Sequence, residues 1–502
     1  PDDAAVDDRR VRVGVERQVR SDLLHALHRR AVVEDLRVLV DAIREDDLLA
    51  LELDRVDQLL EQAVELRAAL RLVGGERVAA AVFTAGREVE LDRRTVVGAA
   101  DDRQRRDDEH GEEIKFIRID MERTRYDLEG EYRISGEWLN KIEGRISFTD
   151  YEHSEIEIFE DGLTEVGTRF ENDGVTGRFV LDFVPQGAWS GLIGLQFSKS
   201  DFSAIGEEAF IPETDRSAPS VFALTQYSAS SYIAEFGVRA ERDESEIAAI
   251  CDASNTAVSA STSLVYDLNE SNSLSFGLAH SERAPSIEEL YSNISNANCL
   301  ALEDDDLVLH AATDLIEVGG PNLDQESSNN IEIGLRRYRG RITGELNVYY
   351  NEVHDYIGLQ LDPDGDVGTY VSRDAVFTGM EGRISVQVWE RSDSRFSFSL
   401  FADQVRARFD HGGDLARITP AKLGISLNLS GALWSSHLQW LRVQRQERIG
   451  QNELETPGYH RASLYIDRHW QVGDRSKLTL FARASNLLDE EIRNHAPLLK
   501  NF

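Results

Sequence analysis

The sequence predicts an all-β fold, an antiparallel transmembrane β-barrel, and three observations carry that reading. From about residue 114 onward, apolar residues recur at every second position. The connections between these runs alternate between short turns and long polar loops. No uninterrupted apolar run approaches the roughly 18 residues a membrane helix needs. A barrel hides its lipid face in alternate residues, so its average composition reads as polar.

Taken in chain order, Leu274, Phe276 and Leu278 alternate with Ser273 and Ser275. Ile331, Ile333 and Leu335 alternate with Glu332 and Arg336. In "RITGELNVYY" (341–350), Ile342, Gly344, Leu346, Val348 and Tyr350 share one face, and Thr343, Glu345 and Asn347 the other. Phe396, Phe398, Leu400 and Ala402 alternate with Ser397, Ser399 and Asp403, and Leu478, Leu480, Ala482 and Ala484 with Thr479, Arg483 and Ser485. Short turns precede Leu274, Ile342 and Phe396, and another surrounds Gly431; long loops are expected over 243–257, 286–326, 359–368, 411–417 and 449–456. A soluble sandwich has little reason to segregate loop lengths in this way. About sixteen candidate strands follow residue 114, several longer than the ~9–11 residues that cross a bilayer. Aromatic residues near strand ends (Tyr349, Tyr350, Tyr356, Trp434, Trp440, Tyr465, Trp470) suit a girdle at the lipid–water boundary.

Residues 1–113 have another character. They contain no lysine, tyrosine, tryptophan, asparagine or cysteine, and Lys115 is the first lysine. Over 20–72 leucines and valines fall at three- and four-residue spacing, and Gly74–Gly75 would end the run. One reading is a helical hairpin able to bind a partner; the other is a GC-rich gene translated in a wrong frame.

Aspartate and glutamate number 91 against 55 lysine and arginine, a formal charge of -36. That excludes nucleic-acid binding driven by bulk charge. There is no GxSxG, HExxH, P-loop or dinucleotide fingerprint, so neither an enzyme nor a resident cofactor is expected. The segment "LDPDGDV" (361–367) spaces Asp362, Asp364 and Asp366 by two, as a calcium loop or a plain turn would. The loop over 286–326 carries Glu303, Asp304, Asp305, Asp306, His310 and Glu317; with His280 and His354 these carboxylates and imidazoles could catch a hard or borderline cation, or could simply form a solvated surface. Cys251 and Cys299 fall in two successive long loops facing an oxidising compartment, which favours a bridge over two unrelated thiols.

Several segments resemble the barrels of TonB-dependent outer-membrane receptors. "SERAPSIEELYSN" (281–293) is similar to the family's motif after an ascending strand, through Arg283, Ala284, Pro285, Glu289, Leu290 and Tyr291. The passage over 310–337 resembles the family's next stretch, a turn at Pro321, Asn322 and Leu323 and a strand start at Glu326; the family's first asparagine is Gly320 here. "ITGELNVYYNEVHDYI", "FTGMEGRISVQV", "RITPAKLGISLNL" and "TPGYHRASLYI" are similar to the next four strands in the same order, and "FARASNLLDEEIRNHAPLLK" (481–500) to the near-terminal segment with Asn486, Leu487 and Asp489. A weaker likeness over 165–183 points to the branch that takes up zinc or iron complexes.

The resemblance implies an outer-membrane receptor of a Gram-negative cell. It would take up a metal or metal chelate (siderophore, haem, zinc or cobalamin class), capture it in long outer loops, and draw energy through the TonB complex. Outer-membrane lipid would be its solvent. The rival reading is a passive porin-like barrel or an adhesin without energy coupling; a third is a soluble helical module fused to a β-domain. The family's plug and coupling box are not found before residue 114, and the last strand is not found before Phe502. The expectation is therefore an incomplete barrel over 114–502, with about 16 of about 22 strands, preceded by a helical or non-native segment over 1–113.

Overall fold

The computed structural model describes residues 78–96, 114–159, 162–206, 208–247, 251–310, 315–363, 365–451, 453–472 and 476–496. Nineteen strands of these described residues lie in one sheet. They are β1 (Val78–Val96), β2 (Ile114–Ile134), β3 (Leu139–Phe159), β4 (Thr164–Phe183), β5 (Trp189–Gly206), β6 (Thr214–Ser217), β7 (Ser220–Ser228), β8 (Tyr232–Ile247), β9 (Cys251–Asn269) and β10 (Asn272–Arg283). After a long loop with one helical turn, α1 (Ile287–Tyr291), come β11 (Ile316–Val318), β12 (Glu326–Arg337), β13 (Ile342–Leu361), β14 (Val367–Arg391) and β15 (Ser394–Phe409). β16 (Lys422–Gly431), β17 (Trp434–Val443), β18 (Tyr459–Val472) and β19 (Ser476–Ala484) complete the order.

The path is an antiparallel meander in which each long strand pairs with the next. β6 continues β7 past Pro219, since both lie between β5 and β8. β11 is a short parallel addition to the start of β14. Counting β6 with β7, sixteen long strands follow residue 114, as the dyad pattern predicts. β1 and β19 pair only with β2 and β18 among the described residues, so the sheet curls but does not close on itself.

Two expectations need correction. The long loop expected over 243–257 is mostly strand, because β8 runs to Ile247 and β9 starts at Cys251. Likewise half of 359–368 belongs to β13 and β14. Strands that rise out of lipid have water on one or both faces, so their outer halves lose the apolar alternation that marks a strand in sequence. β1 falls within the 1–113 segment read as helical or wrong-frame; over Val78–Val96 the chain is a strand in register with β2. The helical hairpin expected over 20–72 lies outside the described residues.

The apolar faces meet in register. Leu274, Leu335 and Leu346 stand opposite one another on β10, β12 and β13, as do Phe276, Ile333 and Val348, and then Leu278, Ile331 and Tyr350. The band continues through Met380 and Ile384 to Leu400, Ile425 and Trp440. Most of these side chains are exposed, Leu335 by 49%, as are Leu195 on β5 by 57% and Val238 on β8 by 58%. An exposed belt of this extent is what lipid, not water, solvates. No described helix is long and apolar enough to cross a membrane, which says nothing of a barrel.

Burial instead concentrates at one end, where the loops gather. One cluster joins Ile247, Cys251, Leu290, Tyr291 and Ile294; a second joins Ala375, Ala407 and Leu415; a third joins Leu441, Val443 and Tyr459. The opposite end has tight turns and a run of aromatic rings, with Trp189 4.9 Å from Tyr227 and Tyr227 5.8 Å from Tyr232.

Above the lipid band, the outward face of β4–β9 is acidic. Asp173, Asp201, Asp215, Glu246 and Asp252 stand opposite one another in a single row across the strands. Burial and the facing Asp215 carboxyl push Asp201 up to about 6. An unfolded aspartate loses its proton near 3.9, so the folded state binds more protons between those values and its stability falls as pH rises through that window. Asp201→Asn should therefore raise the thermal midpoint at pH 7.5 and leave it unchanged at pH 4. Equal shifts at both pH values would remove the proton-sharing pair from the account.

Candidate functional site

The residues carrying the strongest sequence signal form a cap over the loop end. Arg283 ends β10 opposite Glu326, which begins β12. Its guanidinium reaches Glu326 Oε2 at 2.8 Å through Nε and both oxygens of Glu289 at 2.8 and 3.1 Å through Nη1 and Nη2. Desolvation works against the charged guanidinium, but the two carboxylates outweigh it and hold Arg283 above its ordinary range. After Ala284, Pro285 supplies no N–H to the ladder, and the chain turns into α1. Ser286 caps that turn reciprocally: its Oγ accepts from Glu289 N at 3.2 Å, and its N–H donates to Glu289 Oε2 at 2.7 Å. Glu289 thus serves both the helix and the arginine.

α1 buries Leu290 and Tyr291 against Ile247 and Cys251. The Tyr291 hydroxyl donates to the Ser245 carbonyl at 3.0 Å, 46 residues back in sequence. Gly319 and Gly320 donate their N–H groups to Ser292 O and Glu289 O at 2.7 and 2.9 Å. A Cβ on Gly319 would sit 2.4 Å from Leu290 O, so the motif needs glycine there. Leu323, after Pro321 and Asn322, packs on the same apolar cluster.

Asn293 was not singled out by sequence reasoning and is the centre of the cap. It is fully buried with φ of 52°, a conformation asparagine tolerates better than most residues. Nδ2 donates to Val308 O at 2.8 Å and Glu317 O at 2.9 Å, Oδ1 accepts from Val308 N at 2.8 Å, and its own N–H donates to Phe210 O at 2.6 Å. One side chain thereby holds two arms of the 284–325 loop, and its backbone fixes the β5–β6 loop.

Glu317 is 3% exposed, and both of its oxygens are engaged, Oε1 with His310 Nδ1 at 3.0 Å and Oε2 with the Tyr370 hydroxyl at 2.7 Å. Burial and the facing Glu317 carboxylate hold the Tyr370 hydroxyl well above the ordinary tyrosine range. The His310 ring stacks on Phe210 at 4.4 Å. The β5–β6, β10–β12 and β13–β14 connections meet here, and Cys251 at the head of β9 is joined to Cys299 with 5.3 Å between Cα atoms.

The remaining cation candidates do not join this group. Glu303 through Asp306 form an exposed turn, with Asp304–Asp306 in 3-10 geometry. His280 lies two residues beyond Leu278 on the outward face and contacts Asn329 at 2.9 Å and Glu282 at 3.3 Å. His354 follows Tyr350 and Glu352 on the outward face of β13 and lies 3.6 Å from Asp374. Strand parity therefore separates both histidines from His310. Among the described residues no group of three or more His, Cys, Asp or Glu could hold a metal ion. Asp362 closes a plain turn, its Oδ1 accepting from Gly365 N at 2.7 Å and Asp366 N at 3.1 Å.

The C-terminal motif is likewise structural. Asn486 (φ 52°) bridges to Glu490 through both ends of its amide, Asp489 N donates to Asn486 O at 3.0 Å, and Leu487 N donates to Ala462 O at 2.9 Å. His495, buried, touches Thr456 Oγ1 at 3.1 Å and Glu453 at 3.4 Å, which ties the segment to the β17–β18 loop. The arrangement ties the loops to one another at the outer end of the sheet.

The profile of the family "TonB dependent receptor-like, beta-barrel" matches residues 77–487. The copper transporter OprC superposes with a TM-score of 0.62 at 16% identity, covering 83% of this chain and 67% of that one. The FrpB iron transporter from Neisseria meningitidis (F3-3 variant) gives 0.59 at 12%, covering 83% and 66%. The ferric enterobactin receptor PfeA gives 0.59 at 15%, covering 85% and 65%. The chain thus spans about two thirds of the length of these structures, and at such identities the likeness is one of fold.

Proposed function

The chain belongs to the family of TonB-dependent receptors, which are transporters and not enzymes, and on that premise we propose that it takes up a metal or metal chelate across the outer membrane of a Gram-negative cell. The ligand is captured by the outer loops, and passage is driven through the TonB complex. The observation that carries this reading is the cap: Asn293, Glu317 and the Cys251–Cys299 bridge hold four outer connections in place above a lipid-solvated sheet. Preordered loops lower the entropy lost when a ligand is bound. A passive pore has no need of that. The ligands for which the structural neighbours are named, copper, iron and ferric enterobactin, support the metal class without choosing within it.

The carboxylates of the cap are engaged by arginine, histidine, tyrosine and backbone N–H groups, so they frame the site rather than ligate a cation. The test is uptake of labelled copper, zinc and iron chelates by receptor-deficient cells carrying the intact gene, with TonB present or deleted. Uptake that requires TonB is the expected result. Equal uptake without TonB would establish the passive barrel instead, and surface attachment without uptake the adhesin.

A further inference from the structure

The inner face of the sheet turns aromatic and basic at the outer ends of β13–β15. On β13 the even positions from Ile342 to His354 face outward, and unbroken alternation would send Tyr356 the same way. A bulge between Val353 and Tyr356 prevents this. Asp355 takes a φ of 53°, its N–H donates to Asp374 Oδ1 at 3.2 Å, and Tyr356 then stands opposite Arg373. Arg373 shares the inner face of β14 with Ala375 and Phe377, since Met380 and Ile384 hold the outer one. Phe377 pairs with Ala407, two residues before Phe409 on β15. Bulges re-aim side chains, and a positive φ at a residue other than glycine costs free energy. The result here is a tyrosine turned inward.

Three rings and a guanidinium form a shelf there. The Tyr356 ring lies 6.0 Å from Phe377 and 6.2 Å from Phe409, and Arg373 Cζ stands 3.9 Å from the centre of the Phe409 ring. Ala375, Ala407 and Leu415 fill the base and are buried, while the three rings stay partly open. Arg373 donates to Gly412 O at 3.4 Å and makes no ion pair with a described residue; the exposed Arg417, in the β15–β16 loop, makes none either. Burial holds the Tyr356 hydroxyl above the ordinary tyrosine range; Glu326 and Glu289 add to this, and the Arg283 and Arg417 charges work against it. Both of those carboxylates are already engaged by Arg283. From Tyr349, Gly379 and Val405 to the outer ends, no described inner position of β13, β14 or β15 is a carboxylate, the bulged and exposed Asp355 apart. Glu381 and Asp403 lie one step deeper. In a chain of formal charge -36, a surface with unpaired guanidiniums and no free carboxylate favours anions.

We propose that this shelf binds the ligand, and that the ligand is an anionic metal chelate with aromatic donor rings, its oxygens taken by Arg373 and Arg417 and a ring laid against Tyr356, Phe377 and Phe409. Guanidinium forks match paired anionic oxygens in geometry and charge, and aromatic rings gain from offset or edge contact with one another. A bare cation meets the opposite conditions, unpaired positive charge with no unengaged carboxylate beside it. A neutral chelate leaves both guanidiniums without a counter-charge. The proposal rests on the uptake reading and narrows it, to a chelate rather than a free ion and to an anion rather than a neutral complex.

The test uses the full chain in neutral detergent, with bound metal counted by equilibrium dialysis. The probes are the trianionic ferric complex of a hexadentate tris-catechol, the neutral ferric complex of a hexadentate tris-hydroxamate, and cupric ion. The tris-catechol complex should bind roughly tenfold tighter or more than either of the others, as charge-assisted contacts to two arginines imply. Arg373→Gln with Arg417→Gln should abolish that margin, and the corresponding lysine pair should keep part of it. Tyr356→Leu should weaken the tris-catechol complex about fivefold and leave a ring-free anion, ferric citrate, within about twofold. Arg442→Gln, on the outer face, should change nothing. Arg417→Gln alone, at an exposed loop residue, serves should the double variant misfold, with a loss of about threefold expected. Equal binding of the neutral complex or of cupric ion, wild-type affinity in a folded glutamine variant, or binding of none of the probes would overturn the proposal. TonB-dependent uptake of a neutral chelate or a bare ion in place of the anion would overturn it too, and would leave the uptake reading standing. Absence of TonB-dependent uptake of any metal would remove the uptake reading, whatever the dialysis shows.

Discussion

Asn293→Ala is expected to open the cap. The substitution removes three side-chain hydrogen bonds made at 2.8–2.9 Å and leaves the Val308 N–H, the Val308 carbonyl and the Glu317 carbonyl with lost partners in a buried setting. Each such loss costs about 1 kcal/mol or more, and alanine adds ~1–2 kcal/mol for the left-handed backbone. The total, about 4 kcal/mol, should appear as a rise of several hundredfold in hydrogen exchange over residues 284–325. Asn293→Gly separates the parts: it keeps the φ of 52° free of strain, so it should recover only the backbone share. Exchange as slow as in the wild type in both variants would mean that Asn293 is not the tie between the loops.

Reduction of Cys251–Cys299, or Cys251→Ser with Cys299→Ser, should act on the same loop by a different route. The bridge closes a loop of 48 residues, for which chain entropy gives roughly 4 kcal/mol. The effect falls on the opened cap, which regains freedom, and the membrane-embedded strands should keep their protection. The expected result is proteolysis within 284–325 under conditions where the oxidised protein resists, with the barrel strands still uncut. In the uptake assay the same variant should weaken ligand capture more than it lowers the rate at saturating ligand, because ordering the loops then falls to the ligand. Unchanged protease resistance after full reduction would show that hydrogen bonds alone hold the cap.

The parts of the fold visible in sequence are those where lipid dictates the pattern. Leu274 to Leu278, Ile331 to Leu335 and Ile342 to Tyr350 face hydrocarbon on one side, so every second residue must be apolar, and their registers came out as that alternation requires. The outer reaches of β8 and β9 carry no such demand, and Asp252 to Thr256 read as loop although they are strand. Parity was legible for His280 and His354, each an even number of residues from an apolar neighbour on its own strand; grouping them with His310 ignored that count. Arg283, Glu289 and Glu326 stood out through family likeness, but nothing in their spacing announced that one guanidinium joins both carboxylates.

Alone, the order of residues dictates a meander of lipid-crossing strands, the end at which its loops are long, and an acidic chain without bond-breaking chemistry. These follow from local rules, since solvation of alternate faces acts on each residue separately. The partners of buried polar groups do not follow from local rules. Asn293 meets Val308 and Glu317, and Glu317 meets Tyr370, 53 positions further on, only once the sheet has curled and brought its loops together. The acidic row on the outer face of β4–β9 has the same origin. It needs residues of several successive strands to come into register, so charge becomes a surface property only when the sheet exists.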